Sequence, residues 1–209
     1  MADNYIENKM AALQQQRPVV RRTNPSLESL LKRNRSYRGY NPRRTVTRKE
    51  LETIVGATTL IPSGMNRQTL RYRLVTAEEA GQVLPLITLG AALPEEHLPK
   101  PGSEPQAFII ACSTAPESRV VDIDLGIAAQ TMLLKATEMG LNGIFILNCQ
   151  PVRLQEALGL LYRPLAVIAI GKGAENIYLK PVTAGEELTY YRKDGVHFVP
   201  KLQVEDLIL

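Results

Sequence analysis

Tryptophan is absent from this chain of 209 residues, and cysteine and histidine occur only twice each. Cys112 and Cys149 lack CxxC spacing, so neither a disulfide framework nor a cysteine-based metal site is expected. There is no Walker loop, no GxSxG elbow and no HExxH, which removes the signatures of phosphate-loop nucleotide hydrolysis, serine hydrolysis and zinc proteolysis. No apolar run approaches the roughly 20 residues of a membrane helix, and the first residues contain no apolar signal core. A soluble cytoplasmic protein without membrane attachment is the expectation. Repeats and low-complexity tracts are also missing, and 44% hydrophobic residues with 22% charged is an ordinary globular balance.

The net charge of +4 is local in origin. Eleven basic residues lie between Arg17 and Lys49, opposed only by Glu28. Such a cluster suits nucleic acid, a smaller phosphate, or a solvated face. The segment has few aromatics and no recognisable nucleic-acid module, so nucleic acid is not the expected partner.

What is present is an apolar spine, residues 122–147. At helical spacing Asp124, Thr131, Lys135 and Glu138 form one narrow stripe, and the remaining surface is mostly Leu, Ile, Ala and Met. A helix with so thin a polar stripe is buried on most sides. Asp122 or Asp124 is the expected cap. Gly140 suits the left-handed position after the helix, and Gly143-Ile-Phe-Ile-Leu reads as an interior strand.

Around the spine the chain reads in order. Residues 1–16 form a short amphipathic helix at best and 17–25 a linker. Ser26 caps a helix through Leu27, Leu30 and Leu31. Thr47 and Glu50 form a capping box for a helix over 47–57. A donor-rich loop, residues 62–68, precedes a strand over 71–76 and a helix over 77–89. Residues 88–105, rich in Gly and Pro, make a long loop or lid. Strands follow at 107–112 and 165–170, with a Pro-initiated helix over 151–158 between them. The apolar tail, 190–209, wants a surface to dock on. Alternation of helices and strands suggests a doubly wound sheet, but the first strand is followed by Thr76-Ala-Glu-Glu rather than a glycine-rich turn. An α+β sheet with the buried helix on one face is therefore preferred. Two regions result: residues 1–25 as an extension and 26–209 as one domain.

No acid–base constellation stands out. His97 reads as a solvated loop residue and His197, alternating with Val196 and Phe198, as structural. Cys112 and Cys149 read as small buried fillers, because no activating base is visible. Two groups do suggest binding. Arg35, Ser36 and Arg38 follow a helix; the guanidinium fork matches phosphate oxygens and the hydroxyl adds a neutral donor. Ser63, Asn66 and Gln68 offer groups able to read a heterocycle edge. Together they suit a phosphorylated heteroaromatic cofactor that carries the hard chemistry itself. The competing interpretation is exposed helix-end charge plus a polar turn.

Four pieces in order then resemble the nitroreductase family of FMN-dependent oxidoreductases: Arg35-Ser-Tyr-Arg; Pro62-Ser-Gly-Met-Asn-Arg-Gln; the helix Asp124-Leu-Gly-Ile-Ala-Ala-Gln-Thr-Met-Leu-Leu ending at Met139-Gly-Leu; and Lys201-Leu-Gln-Val-Glu-Asp-Leu. The resemblance covers residues 27–209. It implies a mostly antiparallel central sheet flanked by helices, in a domain-swapped homodimer whose interface uses the long helix and whose tails wrap the partner. It implies FMN at that interface. Arg35, Ser36 and Arg38 would hold the phosphate and ribityl end, joined by Lys201. Ser63, Gly64 and Asn66 would touch flavin from the partner subunit, and the backbone amides of Ile146, Leu147 and Asn148 would face the reactive nitrogen.

The implied activity is ping-pong hydride transfer from NAD(P)H through flavin to a nitroaromatic, quinone or similar acceptor. No catalytic side chain and no metal are implied. Relatives that use flavin for reductive dehalogenation or flavin breakdown, and a non-catalytic flavin-binding module, are the alternatives. Two departures stand out: Asn34 where many members have a second Arg, and Thr69-Leu70 after Gln68 where many have Pro-Trp.

Overall fold

The computed structural model describes residues 25–91 and 93–209; the expected helix over 1–16 and nearly all of the linker lie outside them. Four antiparallel strands form the central sheet: β1 (Leu70–Val75), β2 (Ala107–Ser113), β3 (Asn142–Ile146) and β4 (Pro164–Gly171), in the order β1-β2-β4-β3. The expected antiparallel α+β sheet flanked by helices is what forms.

β2 and β4 are central and buried on both faces, which explains why they read as continuous apolar runs rather than as alternation. Phe108, Ile110, Val167 and Ala169 pack on one side, under α3 (Ala80–Val83) and α5 (Pro151–Ala157). Ile109, Ile168 and Ile170 pack on the other, against α2 (Arg48–Gly56) and the long α4 (Arg119–Glu138). Helices thus cover both faces, and the long α4 packs on one of them, as expected. Met132 of α4 is fully buried in that second layer, and truncating such a residue to Ala costs about 2–5 kcal/mol.

The caps explain the boundaries. Ser26 accepts the Ser29 amide at 3.2 Å and starts α1 (Leu27–Arg33). Thr47 and Glu50 form the reciprocal capping box of α2. α4 begins earlier than expected: Ser118, not Asp122 or Asp124, accepts from the amide of Val121, and Asp122 becomes a first-turn carboxylate at the positive end of the helix. α4 closes as expected, with Gly140 at φ 78° and the Leu141 amide reaching back to the Ala136 carbonyl.

Two expectations fail locally. The helix foreseen over 77–89 shrinks to α3, then tightens into a 3-10 turn at Leu84–Leu86. Pro85 has no amide to donate, so the α ladder cannot continue through it. A second sheet was not foreseen at all. β5 (Asn176–Val182) runs parallel to β7 (Val196–Leu202), and β6 (Tyr191–Lys193) pairs antiparallel with β7. Charged and apolar residues alternate weakly here, and Pro181 and Pro200 obscure the strand pattern. Phe198 holds the small sheet together, stacked on Tyr191 and edge-on to Tyr178.

Among the described residues no helix is long and apolar enough to cross a membrane, and no group of His, Cys, Asp or Glu could hold a metal ion.

Candidate functional site

Arg35, Ser36 and Arg38 come straight out of α1 and are pinned to the central sheet. Ser36 bridges Gly143 in parallel, and the Tyr37 amide donates to the Gly143 carbonyl at 3.1 Å. The segment so becomes a fragmentary extra strand beside β3. Gly143 is obligatory there: an added Cβ would lie 2.5 Å from the Ala169 carbonyl and 2.7 Å from Leu133. α1 is fixed from below by Arg33, which donates to the Thr137 carbonyl at 2.8 Å near the end of α4. Asn34 donates to Gln130 at 3.4 Å and is buried. It therefore braces α1 on α4 instead of adding a cation.

Arg35, Ser36, Arg38 and Lys201 line one cavity of about 290 Å³, together with Gln130, Tyr190 and His197. The tail thus returns Lys201 to the clamp, across 163 residues of sequence from Arg38. Arg38 is buried at 7% exposure. Its backbone amide donates to the Glu175 carboxylate, its Nη1 donates to the Ser36 carbonyl at 3.1 Å, and its guanidinium lies 4.9 Å from the Tyr190 ring centre. Glu175 also pairs with Arg192. The side-chain Nε atoms of Arg35, Arg38 and Arg192 are buried without a partner among the described residues. Burial lowers the Arg35 pKa from its usual value.

Cations crowded about a small cavity, with buried donors unsatisfied and one carboxylate engaged elsewhere, are a donor set suited to an anion with several acceptor oxygens. A phosphate fits this donor set. Tyr190, Glu175, Arg192 and Gln130 escaped the sequence reading, because their contribution comes only from the second sheet and from α4.

Ile146, Leu147 and Asn148 continue β3 away from the clamp. Leu147 lies four residues beyond Gly143, about 13 Å along an extended strand. Ile146 is buried, Leu147 is 65% exposed, and Asn148 is exposed with its carbonyl accepting from the Thr88 amide at 2.9 Å. One strand therefore carries the clamp at its start and leads into the exposed pair Leu147 and Asn148 at its end.

The loop with Ser63, Gly64, Asn66 and Gln68 lies elsewhere. Ser63, Asn66 and Gln68 line a second cavity of about 620 Å³, with Asp124, Tyr72 and residues after α2. The Gly64 amide donates to Asp124 Oδ1 at 2.9 Å. Met65, Asn66 and Gln68 adopt φ of 51°, 53° and 49°, left-handed backbone that non-glycine residues rarely hold and that concentrates at functional sites. Within one chain this loop and the clamp line different cavities.

The remaining candidates are quiet. Cys112 is buried and its thiol is pushed up to about 11 by burial; burial also raises Cys149. Neither is a ready nucleophile. His97 follows the 3-10 turn Pro94–Glu96 at φ 46°.

A model of the nitroreductase family matches residues 31–172. This chain belongs to the nitroreductase family. The matched span takes in the clamp, the strained loop, α4 and β3, and stops just before Glu175, leaving the second sheet with His197 and Lys201 outside it. No curated protein matches the chain. Solved structures share the fold of this nitroreductase-family chain at low identity. A nitroreductase family protein from Streptococcus pneumoniae TIGR4 is 18% identical with a TM-score of 0.60, over 72% of this chain and 92% of that one. An FMN-dependent nitroreductase from Clostridium difficile R20291 is 23% identical with a TM-score of 0.58, over 72% and 89%. A protein from Exiguobacterium sibiricum 255-15, solved in complex with FMN, is 19% identical with a TM-score of 0.58, over 72% and 90%.

Proposed function

We propose that this protein is an FMN-dependent oxidoreductase that carries reducing equivalents from NAD(P)H to a small oxidised acceptor, such as a quinone or nitroaromatic, in a ping-pong cycle. The observation that carries the reading is the convergence of Arg35, Ser36, Arg38 and Lys201 on one cavity with buried, unpartnered guanidinium nitrogens. Family membership and the FMN named for two of the structural relatives add support.

In this reading the four residues grip the phosphate and ribityl end. The backbone of Ile146, Leu147 and Asn148 lines the far end of the ligand. Bound FMN supplies the hydride-accepting and hydride-donating ring. The protein binds, orients and shields, and no side chain acts as acid, base or nucleophile. A clamp cavity of about 290 Å³ lies at the lower edge of the roughly 300–1,000 Å³ that whole ligands of this size occupy. We infer that a second copy of the chain completes the site, bringing Ser63, Gly64 and Asn66 to the flavin. Val120, Ile123 and Ile127 line one uncovered apolar face of α4, and the terminal Leu207 and Ile208 are also exposed. Both suit a homodimer with exchanged tails.

The test is direct. Freshly purified protein should be yellow, or become so with FMN, and should oxidise NADH or NADPH when a quinone or nitroaromatic is added. Protein that gains neither visible absorbance nor thermal stability with FMN would refute the proposal. Arg38→Ala should weaken flavin affinity about tenfold or more, as loss of a charged hydrogen-bonding group does. Arg43→Ala, which removes an exposed arginine that lines neither cavity, should not; equal losses would misplace the clamp.

A further inference from the structure

Arg38 is held from the side by a histidine whose chemistry is constrained. His197 Nε2 lies 3.4 Å from Arg38 Nη1. Arginine has donors only, so Nε2 must be the acceptor. That fixes the neutral ring with its proton on Nδ1, and Nδ1 is buried without a partner among the described residues. The ring is 4% exposed and packs edge-on against Tyr190 at 5.2 Å, the same ring that lies under the Arg38 guanidinium.

The charges around His197 come from every neighbouring element. Arg38 belongs to the clamp and Arg192 to β6; Glu175 follows β4 and Glu96 ends a 3-10 turn. Arg35 and Lys201 line the same cavity. Glu175 is already engaged by the Arg38 amide and by Arg192. A second proton on His197 would therefore set imidazolium against guanidinium with no lone pair between them. Burial first, then Arg38 and Arg192, lower the His197 pKa from its usual value.

We propose that His197 is a positioning residue for the phosphate grip: its Nε2 lone pair holds the Arg38 guanidinium in place, and protonation of the ring releases it. The inference rests on the FMN reading above and deepens it. It also assigns a role to the second sheet and the residue leading into it, which lie outside the family match, because His197 and Tyr190 pack against one arginine of the clamp.

The test titrates FMN by flavin fluorescence quenching between about pH 8 and about pH 5 into the unmodified protein, His197→Gln and His197→Leu, with riboflavin as the phosphate-free control. Gln keeps an acceptor near the Nε2 position but does not titrate. The phosphate's own ionisation near roughly pH 6 cancels in the ratio of the unmodified protein to His197→Gln. The expected result is that this ratio of Kd values rises about tenfold on acidification, that His197→Leu binds weakly at every pH, and that riboflavin binding stays flat. A ratio independent of pH would overturn the proposal. So would tighter binding on acidification, which would mean that His197 touches the anion itself. If no form binds FMN, the proposed function fails, and the His–Arg contact is then judged in the free protein: Arg38→Gln should raise the NMR titration midpoint of His197, and an unmoved midpoint would refute the contact.

Discussion

The Gly64 amide points at Asp124 Oδ1, 2.9 Å away, and so ties the strained loop to the buried face of α4. The polar stripe of the spine is not a solvated edge at this position. Asp124 is 5% exposed and serves as a tether. Replacing it with Ala leaves the amide of a left-handed loop without its acceptor. Asp124→Ala should lower unfolding stability by about 1–3 kcal/mol, read as a shift of the urea midpoint at constant slope. Asp124→Asn, which retains an oxygen, should lose less.

Gly64 also has no room for a side chain. An added Cβ would lie 2.3 Å from Val120 Cγ1. Gly64→Ala should destabilise by about 1–3 kcal/mol through overpacking, and Val120→Ala should recover part of that loss in the double variant. Additive losses in the double-mutant cycle would show that the two sites do not touch.

The uncovered face of α4 predicts the oligomeric state. Ile123 is 52% exposed and Ile127 37%, on a helix whose opposite face is buried in the core. Sedimentation should find a dimer, and Ile127→Glu should shift it toward monomer because a carboxylate in an apolar interface has no partner. Flavin retention should fall in parallel. A single-chain mass for the unmodified protein would remove the site proposed between subunits.

His197 sets a direction for stability against pH. Its folded pKa lies below the usual histidine value, so the unfolded chain takes up a proton first as the pH falls. Stability is therefore complete above about pH 6.5 and declines below it. Thermal unfolding from about pH 8 to about pH 5 should show a steeper acid decline for the unmodified protein than for His197→Gln. Parallel curves would mean that the ring stays solvated.

Much of the fold was legible. Ser26 and the Thr47/Glu50 box marked helix starts because a capping side chain acts within three residues of itself. The double-sided burial of β2 and β4 was visible as unbroken apolar runs. The start of α4 was misplaced because Asp122, Asp124 and Ser118 all qualify as caps locally, and only the backbone path selected Ser118. The helix over 77–89 ignored Pro85. The second sheet stayed hidden because β5 draws its pairing from β7, some twenty residues on, not from its own pattern.

The clamp divides in the same way. Local sequence determined that two arginines and a serine follow α1, that a donor-rich polar loop precedes β1, and that an apolar helix and a strand opening on glycine run through the middle of the chain. It also left the chain without side chains fit for nucleophilic catalysis, which pointed to binding. The resemblance already joined Lys201 to Arg35 and Arg38; only the tertiary structure decided that Asp124 is a buried tether and that His197 faces Arg38 with a lone pair. The reason is physical: capping and periodicity act over a few residues, whereas a cavity is built from side chains that are distant in sequence and acquire neighbours only when sheets and helices pack.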